Sequence, residues 1–567
     1  MRRLLNWIAL VACLVVVPLR GAEWVTHSGS NLRDGWQRNE TRISKDTLGS
    51  LRLLWKVRLD TKPRSVYSLY GPLIVERAIT DRGFKELALV ATARNELVAI
   101  DADLGTIFWK RQFDWDAESP ETEQETFLCP GGLTAWPVLP PLPARGRGRG
   151  APPSAPAPAP PAGERGAAAQ RGGLPAEGAS AGRAEGPGAQ RGGSPFAIRP
   201  VFVLTGDGNL HQVNINTGDE MVPPMKFLPP NGKPYSLAYH DNVIYTITGQ
   251  GCGGNPNSVY SLDLNDPART VRYWRSGSGG LWGTAGPAIG ADGTVYAETG
   301  DGQYDPDTNR YANSVVALTS KELKLKDWYA PSNAEWLWKR DLDMNVTPVV
   351  FEYKGRELVV GSGKEGRLFL LDSQSLGGSD HRTPLFRTDL VSNEDIDFAG
   401  AGTWGSLASW EDDRGTRWVL APVWGPKHPA FKFPITNGET NVGSIAAFKV
   451  EDRNGKPALS PAWISRNMIT PAPPAVANGL VFALGTGEWV RQANDREGGL
   501  YQADARAQKS APAVLYALDA ATGKELWSSG NQVTSFTHFA ALSIANGRVY
   551  FTTYDGTLYC FGIPMEH

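Results

Sequence analysis

The sequence predicts a single all-β unit folded as an eight-bladed β-propeller, on three observations. Its 567 residues include 19 Trp and 63 Gly. Short apolar runs bounded by turn residues replace the long 3.6-residue periodicities of helical proteins. An eleven-residue pattern also recurs along the chain: "ALDAATGKELW" at 517–527 and "AIDADLGTIFW" at 99–109 share Ala, Asp, Gly and Trp at identical offsets.

Taken in order, the elements support this reading. "LRLLWKVRLD" at 51–60 reads as an outer strand with no partner before it. The full pattern follows at 99–109, and a degraded copy, "VNINTGDEM", at 213–221. "SLDLNDPARTVRYW" at 261–274 and "ALTSKELKLKDWY" at 317–329 keep the strand and the closing Trp. "LLDSQSLGG" at 370–378 and "AAFKVEDRNGKPALSPAW" at 446–463 are copies with longer turns, and "LYCFGIP" at 558–564 is a last strand with nothing after it. A repeat of about 45 to 75 residues is the signature of a propeller, whose blades bury both faces only by packing on one another. Seven internal copies plus a blade shared by the two ends make eight, with "GRVYFTTYDGTLYCF" pairing the strand around Trp55. Within each copy, Gly supplies the positive φ of the turn, Asp or Asn bonds its own backbone, and Trp wedges between blades.

One stretch breaks the pattern. Residues 138–195, including "PARGRGRGAPPSAPAPAPPAGERGAAAQRGG", are dominated by Pro, Gly, Ala and Arg. Such a composition cannot offset its ordering entropy by burial, so the segment reads as a disordered insert between propeller parts at 23–137 and 196–567. At the start, Arg2 and Arg3 precede "LLNWIALVACLVVVPL" and a small residue, Ala22. This predicts a secretory signal over 1–22 and a periplasmic or secreted protein. A membrane anchor and lipidation at Cys13 are the other readings, although the apolar run falls short of the ~20 residues of a span. The formal charge of −2 offers no basic footprint for nucleic acid. The four cysteines, Cys13, Cys129, Cys252 and Cys560, show no zinc spacing, and export permits a disulfide.

The pattern A-x-D-x-x-T-G-x-x-x-W, complete at 517–527, resembles the tryptophan-docking motif of the quinoprotein dehydrogenases. These are eight-bladed propellers that hold pyrroloquinoline quinone (PQQ) and a metal near the axis. The likeness spans the mature chain except the insert and extends to secreted PQQ-repeat proteins of soil bacteria. Non-catalytic propellers, such as the outer-membrane assembly lipoprotein, share the repeat. The resemblance implies site residues. Trp282 in "GGLWGTAGPAIG" would be the floor under the quinone, and Asp301 in "ETGDGQ" stands where the family has a metal-binding Asn. Asp341 in "KRDLDMNVTP" would be the base toward the alcohol, and Asp343 resembles the extra metal ligand of lanthanide-type members. Lys364 in "GSGKEGRLFLLD" would bond the quinone oxygens. These types suit the chemistry: a hard metal polarises the quinone carbonyl, a carboxylate takes the alcohol proton, and a cation stabilises the reduced ring.

Two departures follow from the same comparison. The family's adjacent cysteines over the quinone are represented by Cys129 alone, and the family's metal-binding Glu is replaced by Cys252. A thiol is a poor ligand for calcium or a lanthanide. Both positions would face the axis, so we expect Cys129 and Cys252, counted as cofactor-side residues, to form a disulfide across adjacent blades; the alternative is two buried thiols. Ordinary roles exist for each candidate: Asp341 and Asp343 as turn caps or partners of Arg340, Asp301 as a turn residue, Lys364 in a hairpin and Trp282 in the core. "DPDTN" at 305–309 reads as a solvated turn rather than a calcium loop, and His428 in "VWGPKHP" as loop packing. The expected function is an exported quinoprotein-type oxidoreductase, or a descendant of one, using PQQ with calcium or a lanthanide on an alcohol or sugar. Lacking C-x-x-C-H, it would need a separate electron acceptor. The alternative is a binding scaffold that meets a protein at the propeller mouth.

Overall fold

The computed structural model describes residues 22–114, 128–131, 134–141, 198–494 and 499–565. Residues 1–21 of the expected signal (1–22) and residues 142–195 of the expected insert (138–195) lie outside the described residues. Two units divide the chain, one of Met1–Pro140 with Ile198–His567 and one of Pro141–Ala197. The first is the propeller.

Its blades are antiparallel sheets in chain order. Blade 1 runs through strands Leu69–Thr80, Gly83–Thr92, Glu96–Asp101 and Thr106–Gln112. Blades 2 to 7 follow at 135–140 with 200–226, then 238–275, 281–329, 349–387, 402–464 and 475–528. Blade 8 closes the ring: Ser543–Ala545, Arg548–Thr552 and Thr557–Gly562 are joined by Arg52–Arg58 from the other end of the chain. Trp55 lies opposite Cys560, the expected pairing. Closure by both ends leaves no open edge between the first and last blades. No helix among the described residues is long and apolar enough to cross a membrane.

The insert begins later than composition suggests. Val138 and Leu139 are almost fully buried, and Val138 exchanges backbone hydrogen bonds with Phe202 in blade 2. The run of prolines after Leu139 resembles a linker, but the two apolar residues before it complete a blade core. The expected boundary at 138 is therefore corrected to beyond Pro140.

The repeated tryptophans act as expected. Trp463, at the end of blade 6, donates its indole N–H to Ala520 O in the turn of blade 7 at 2.9 Å. Trp55 reaches Ala102 O in blade 1 at 2.9 Å, and Trp109 reaches Ile215 O in blade 2 at 3.1 Å. The motif Gly is what admits the ring. At Gly523 φ is +70°, and a Cβ would lie 2.2 Å from Trp463 Cε3.

The segment 24–37 was not singled out by its pattern, yet it touches every blade. Trp24 pairs with Ile74 in blade 1, and Val25 O accepts from Leu139 N in blade 2. Asn31 bonds Tyr239 O in blade 3 through its side chain and Ile289 N in blade 4 through its carbonyl. Leu32 O, Asp34 O and Gly35 O accept from Val350, Ser409 and Val476 in blades 5, 6 and 7. Gln37 Nε2 then reaches Ile544 O in blade 8 and, closing the circle, Glu23 O. Inner-strand backbone groups that would otherwise lack partners are satisfied by this belt.

Candidate functional site

Blades 4 and 5 bring the predicted residues together. Trp282 ends the two-residue inner strand Leu281–Trp282, which pairs with Val295–Thr299, and Asp301 follows that second strand in the turn Gly300–Gly302. Asp341 and Asp343 lie in the loop between the short helix Ala334–Trp338 and the inner strand of blade 5, and Lys364 follows strand Arg356–Ser362. Glu298, fully buried, joins the two blades: its carboxyl accepts Val346 N and Ser362 N, both at 2.9 Å. Burial pushes its pKa well above the usual carboxylate range, against the pull of those two hydrogen bonds. The sequence signal for this brace, a Glu in the otherwise apolar strand "VYAET", went unread.

Lys364, 5 % exposed, places Nζ 2.8 Å from Asp341 Oδ1 and 3.0 Å from Asp341 O, and ion-pairs with Asp343. Asp343 Oδ1 also accepts the backbone N–H of Asp301 at 2.5 Å. One carboxylate oxygen each from Asp301, Asp341 and Asp343 lies within 4.8 Å of the others. Gly300 makes this crowding feasible, since a Cβ there would meet Asp343 Oδ1 at 2.2 Å and Trp282 Nε1 at 2.3 Å. Burial, then the Asp343 charge, raises Asp301 to about 7. Asp341 is raised to about 6, chiefly by burial, with Lys364 pulling the other way. Burial would raise Asp343 too, but the Lys364 ammonium and the hydrogen bonds from Asp301 together outweigh it and hold Asp343 below its ordinary range; Lys364 is raised in return.

Three carboxyl groups thus lie together, and one ammonium pairs with two of them, Asp341 and Asp343. The oxygen donor set fits a hard cation such as calcium or a lanthanide, which would relieve the repulsion that leaves Asp301 prone to hold a proton.

Trp282 is half-buried, and its indole N–H has no partner among the described residues. Lys233 Nζ lies over its ring, 5.3 Å from the centroid, and Tyr235 is tilted against it at 6.3 Å. Lys233 is 5 % exposed and donates to Leu128 O at 2.9 Å. Burial, with the Arg506 charge second, lowers its pKa to about 7. Leu128 O also lies 3.6 Å from Cys252 Sγ, and Cys252 is joined to Cys129 by the expected disulfide between adjacent blades. The Lys233 ammonium and the Tyr235 ring thus both lie against Trp282.

A cavity of about 30 Å³ adjoins Tyr235, lined also by Tyr67, Tyr70, Trp136, Thr284 and His538 from four other blades. That is room for roughly one or two waters. Tyr70 OH and Thr284 Oγ1 are buried there with no partner among the described residues. His538 Nδ1 is 2.8 Å from Glu488 Oε1, and Glu488 is in turn clamped by Arg506 at 2.7 Å. No motif pointed to Lys233 or to this group. The secondary candidates stay local: Asp305 accepts the Thr308 hydroxyl at 2.7 Å, and His428 Nδ1 accepts Ala430 N at 3.2 Å.

Comparison with known proteins agrees with the fold. Residues 472–563, blades 7 and 8, match the family model described as outer membrane protein assembly factor BamB. No curated protein matches the chain. The structure of the quinohemoprotein alcohol dehydrogenase from Comamonas testosteroni is similar at a TM-score of 0.55 and 12% identity, over 96% of this chain and 81% of that one. A europium-containing methanol dehydrogenase is similar at a TM-score of 0.54 and 13% identity, over 95% and 98%. The quinohemoprotein alcohol dehydrogenase ADHIIG from Pseudomonas putida HK5 gives 0.55 and 13%, over 96% and 82%. The chain thus has the eight-bladed propeller fold of those dehydrogenases, and the repeat match is to residues 472–563. At this identity the likeness extends to fold and not to chemistry.

Proposed function

We propose that this propeller is an exported oxidoreductase of the quinoprotein type, acting on an alcohol or sugar with PQQ and a hard cation at its axis. The observation that carries the reading is the convergence of Trp282, Asp301, Asp341, Asp343 and Lys364, which are scattered over more than eighty residues of sequence, around Gly300. The bound quinone supplies a two-electron acceptor, and the cation supplies its polarisation. Asp301 and Asp343 would hold the cation. Asp341, whose side chain is 48% exposed, takes the hydroxyl proton of the substrate, and Lys364 orients it. Trp282 forms the flat floor. Export accords with the signal-like start and with the disulfide. Electrons leave to a separate acceptor.

The test is a titration of the mature protein with PQQ in calcium and then in a lanthanide, followed by tryptophan fluorescence and by dye-linked alcohol oxidation. Saturable, metal-dependent quenching that Asp301→Ala abolishes supports the reading. No quenching with either metal overturns it. A second reading, a binding scaffold, is favoured by one observation: Cys252 is consumed in a disulfide at the position where the resemblance expects a carboxylate ligand. Under that reading the same titration is flat, and a protein partner is to be sought at the propeller mouth.

A further inference from the structure

Five large apolar residues are exposed at one end of blades 1 and 2: Phe84 at 62%, Leu104 at 61%, Ile198 at 55%, Ile107 at 42% and Ile79 at 39%. Topology places them together. In blades 4 and 5 the site follows the second strand, at the turn to the third. The matching turn of blade 1 is 93–95, so its turns 81–82 and 102–105 lie at the opposite end. Ile79 and Phe84 face each other across the first of these turns, Leu104 lies in the second, and Ile107 comes just after it. Ile198 precedes the strand Pro200–Leu204, beside Arg199, which holds Glu23 Oε1 at 2.7 Å. Apolar residues scattered singly over a surface are ordinary, whereas a group at one end marks an interaction surface. Two cations go with the group. The Arg77 guanidinium stacks on Phe84, 4.3 Å from the ring centroid, and that of Arg82 lies 5.5 Å over Phe108. Neither is in an ion pair among the described residues, whereas Lys85 is held by Asp101. One exposed acid, Asp81, shares the hairpin turn. The N-terminal segment leads to the same end. Trp24 pairs antiparallel with Ile74, and Glu23 Oε1 accepts Glu76 N at 3.4 Å, so the chain leaves Ala22 in the direction of Thr80. Before Ala22 stands the apolar run "LLNWIALVACLVVVPL".

We propose that this end of blade 1, built by Ile79, Phe84, Leu104 and Ile107 with Arg77 and Arg82, is a docking surface for an anionic phospholipid bilayer. The apolar side chains enter the interfacial layer while the two guanidiniums pair with lipid phosphates. Stacking of Arg77 on Phe84 and of Arg82 over Phe108 keeps each charge beside an apolar ring, the amphipathic arrangement that a headgroup layer accepts. An acidic protein would also match the cations. The apolar run that leaves the propeller at the same end favours a bilayer as the occupant. The contact is peripheral and needs no spanning helix. It turns the site end of the ring away from the lipid, and it goes beyond the quinone reading, on which it does not rest.

The experiment is flotation of the mature protein, so that the leading apolar run takes no part, with vesicles of phosphatidylcholine and with vesicles in which half of the lipid is phosphatidylglycerol. At low salt, partition onto the anionic vesicles is expected to exceed that onto the neutral ones about tenfold or more, and to fall as salt is added. Arg77→Gln with Arg82→Gln should remove the preference. Ile79→Ser with Phe84→Ser should lower partition about fivefold or more. Ile435→Ser, on a loop at the site end, should leave it unchanged. All five side chains are exposed, so the variants should keep the fold. Equal binding to both vesicles, partition that the two double variants leave intact, or an equal loss in Ile435→Ser overturns the proposal. Binding to neither vesicle overturns it too and leaves an acidic protein as the occupant. No quinone or metal enters, so failure here leaves the PQQ titration to stand or fall separately.

Discussion

Lys364 Nζ lies 2.8 Å from Asp341 Oδ1, so the most exposed carboxylate of the site is tied to a buried ammonium that also neutralises Asp343. The lysine holds a position where it competes with any cation for the same oxygens.

Removing it should expose that competition. Lys364→Met leaves Asp343 buried and unpaired, and breaking a buried pair in this way costs about 3–5 kcal/mol. Thermal unfolding should show the loss in EDTA. Added calcium or lanthanide should raise the midpoint of the variant more than that of the wild type. Equal metal responses in the two proteins would show that Lys364 and a cation do not share ligands.

The raised carboxyls give a pH dependence of defined sign. Asp301 titrates at about 7 and Asp341 at about 6 in the folded protein, above their ordinary values. The folded state therefore binds more protons than the unfolded chain between about pH 4 and 7, and stability falls as pH rises through that window. In metal-free protein, Asp301→Asn should flatten the upper part of the decline, read as denaturation midpoints from pH 4.5 to 7.5. An unchanged slope would contradict the raised value.

The docking of Trp463 on Gly523 should dominate the join between blades 6 and 7. Trp463 is completely buried, so Trp463→Ala should cost about 3–5 kcal/mol in urea unfolding. Gly523→Ala should also destabilise strongly, because its Cβ would meet the ring at 2.2 Å. Trp338→Ala, at 40% exposure, is the control and should stay within about 0.5 kcal/mol.

The disulfide closes a long loop, its ends 123 positions apart in the chain. The chain-entropy relation puts such a cross-link at roughly 4–5 kcal/mol. Mature protein denatured without reductant should offer one alkylatable thiol, Cys560, and three after reduction. Three without reduction would refute the pairing. Cys252→Ser should lower stability by about the stated amount.

Much of this was legible in the chain. The motif at 99–109 and 517–527 contains both halves of a local device, a turn Gly and a Trp, so the blade joins could be read from spacing. Closure at Trp55 and Cys560 followed from two unpartnered strands at opposite ends. Asp301, Asp341 and Lys364 were named through the resemblance to the quinoprotein dehydrogenases, and the disulfide through two departures from that family; the structure brings the three residues together and joins Cys129 to Cys252. Other features carry no local mark. Lys233 lies in "NGKPYS", which reads as an ordinary turn, and its burial depends on Trp282 and Leu128 far away in the chain. Glu298 looks like an exception in an apolar strand until blade 5 supplies the two N–H groups it satisfies. Val138 and Leu139 merge with the prolines that follow until Phe202 and Val25 are seen to pair with them.

The sequence by itself determined the number of blades, how the ring closes and which turns receive a tryptophan, because these depend on interactions that repeat at fixed spacing and are encoded within each copy. Only the tertiary structure decided that one ammonium neutralises two of three carboxylates, that a second ammonium covers Trp282, and that the segment 24–37 binds all eight blades. Those contacts lie outside the repeated pattern. Their energies depend on distance and burial, which arise only when the ring is complete.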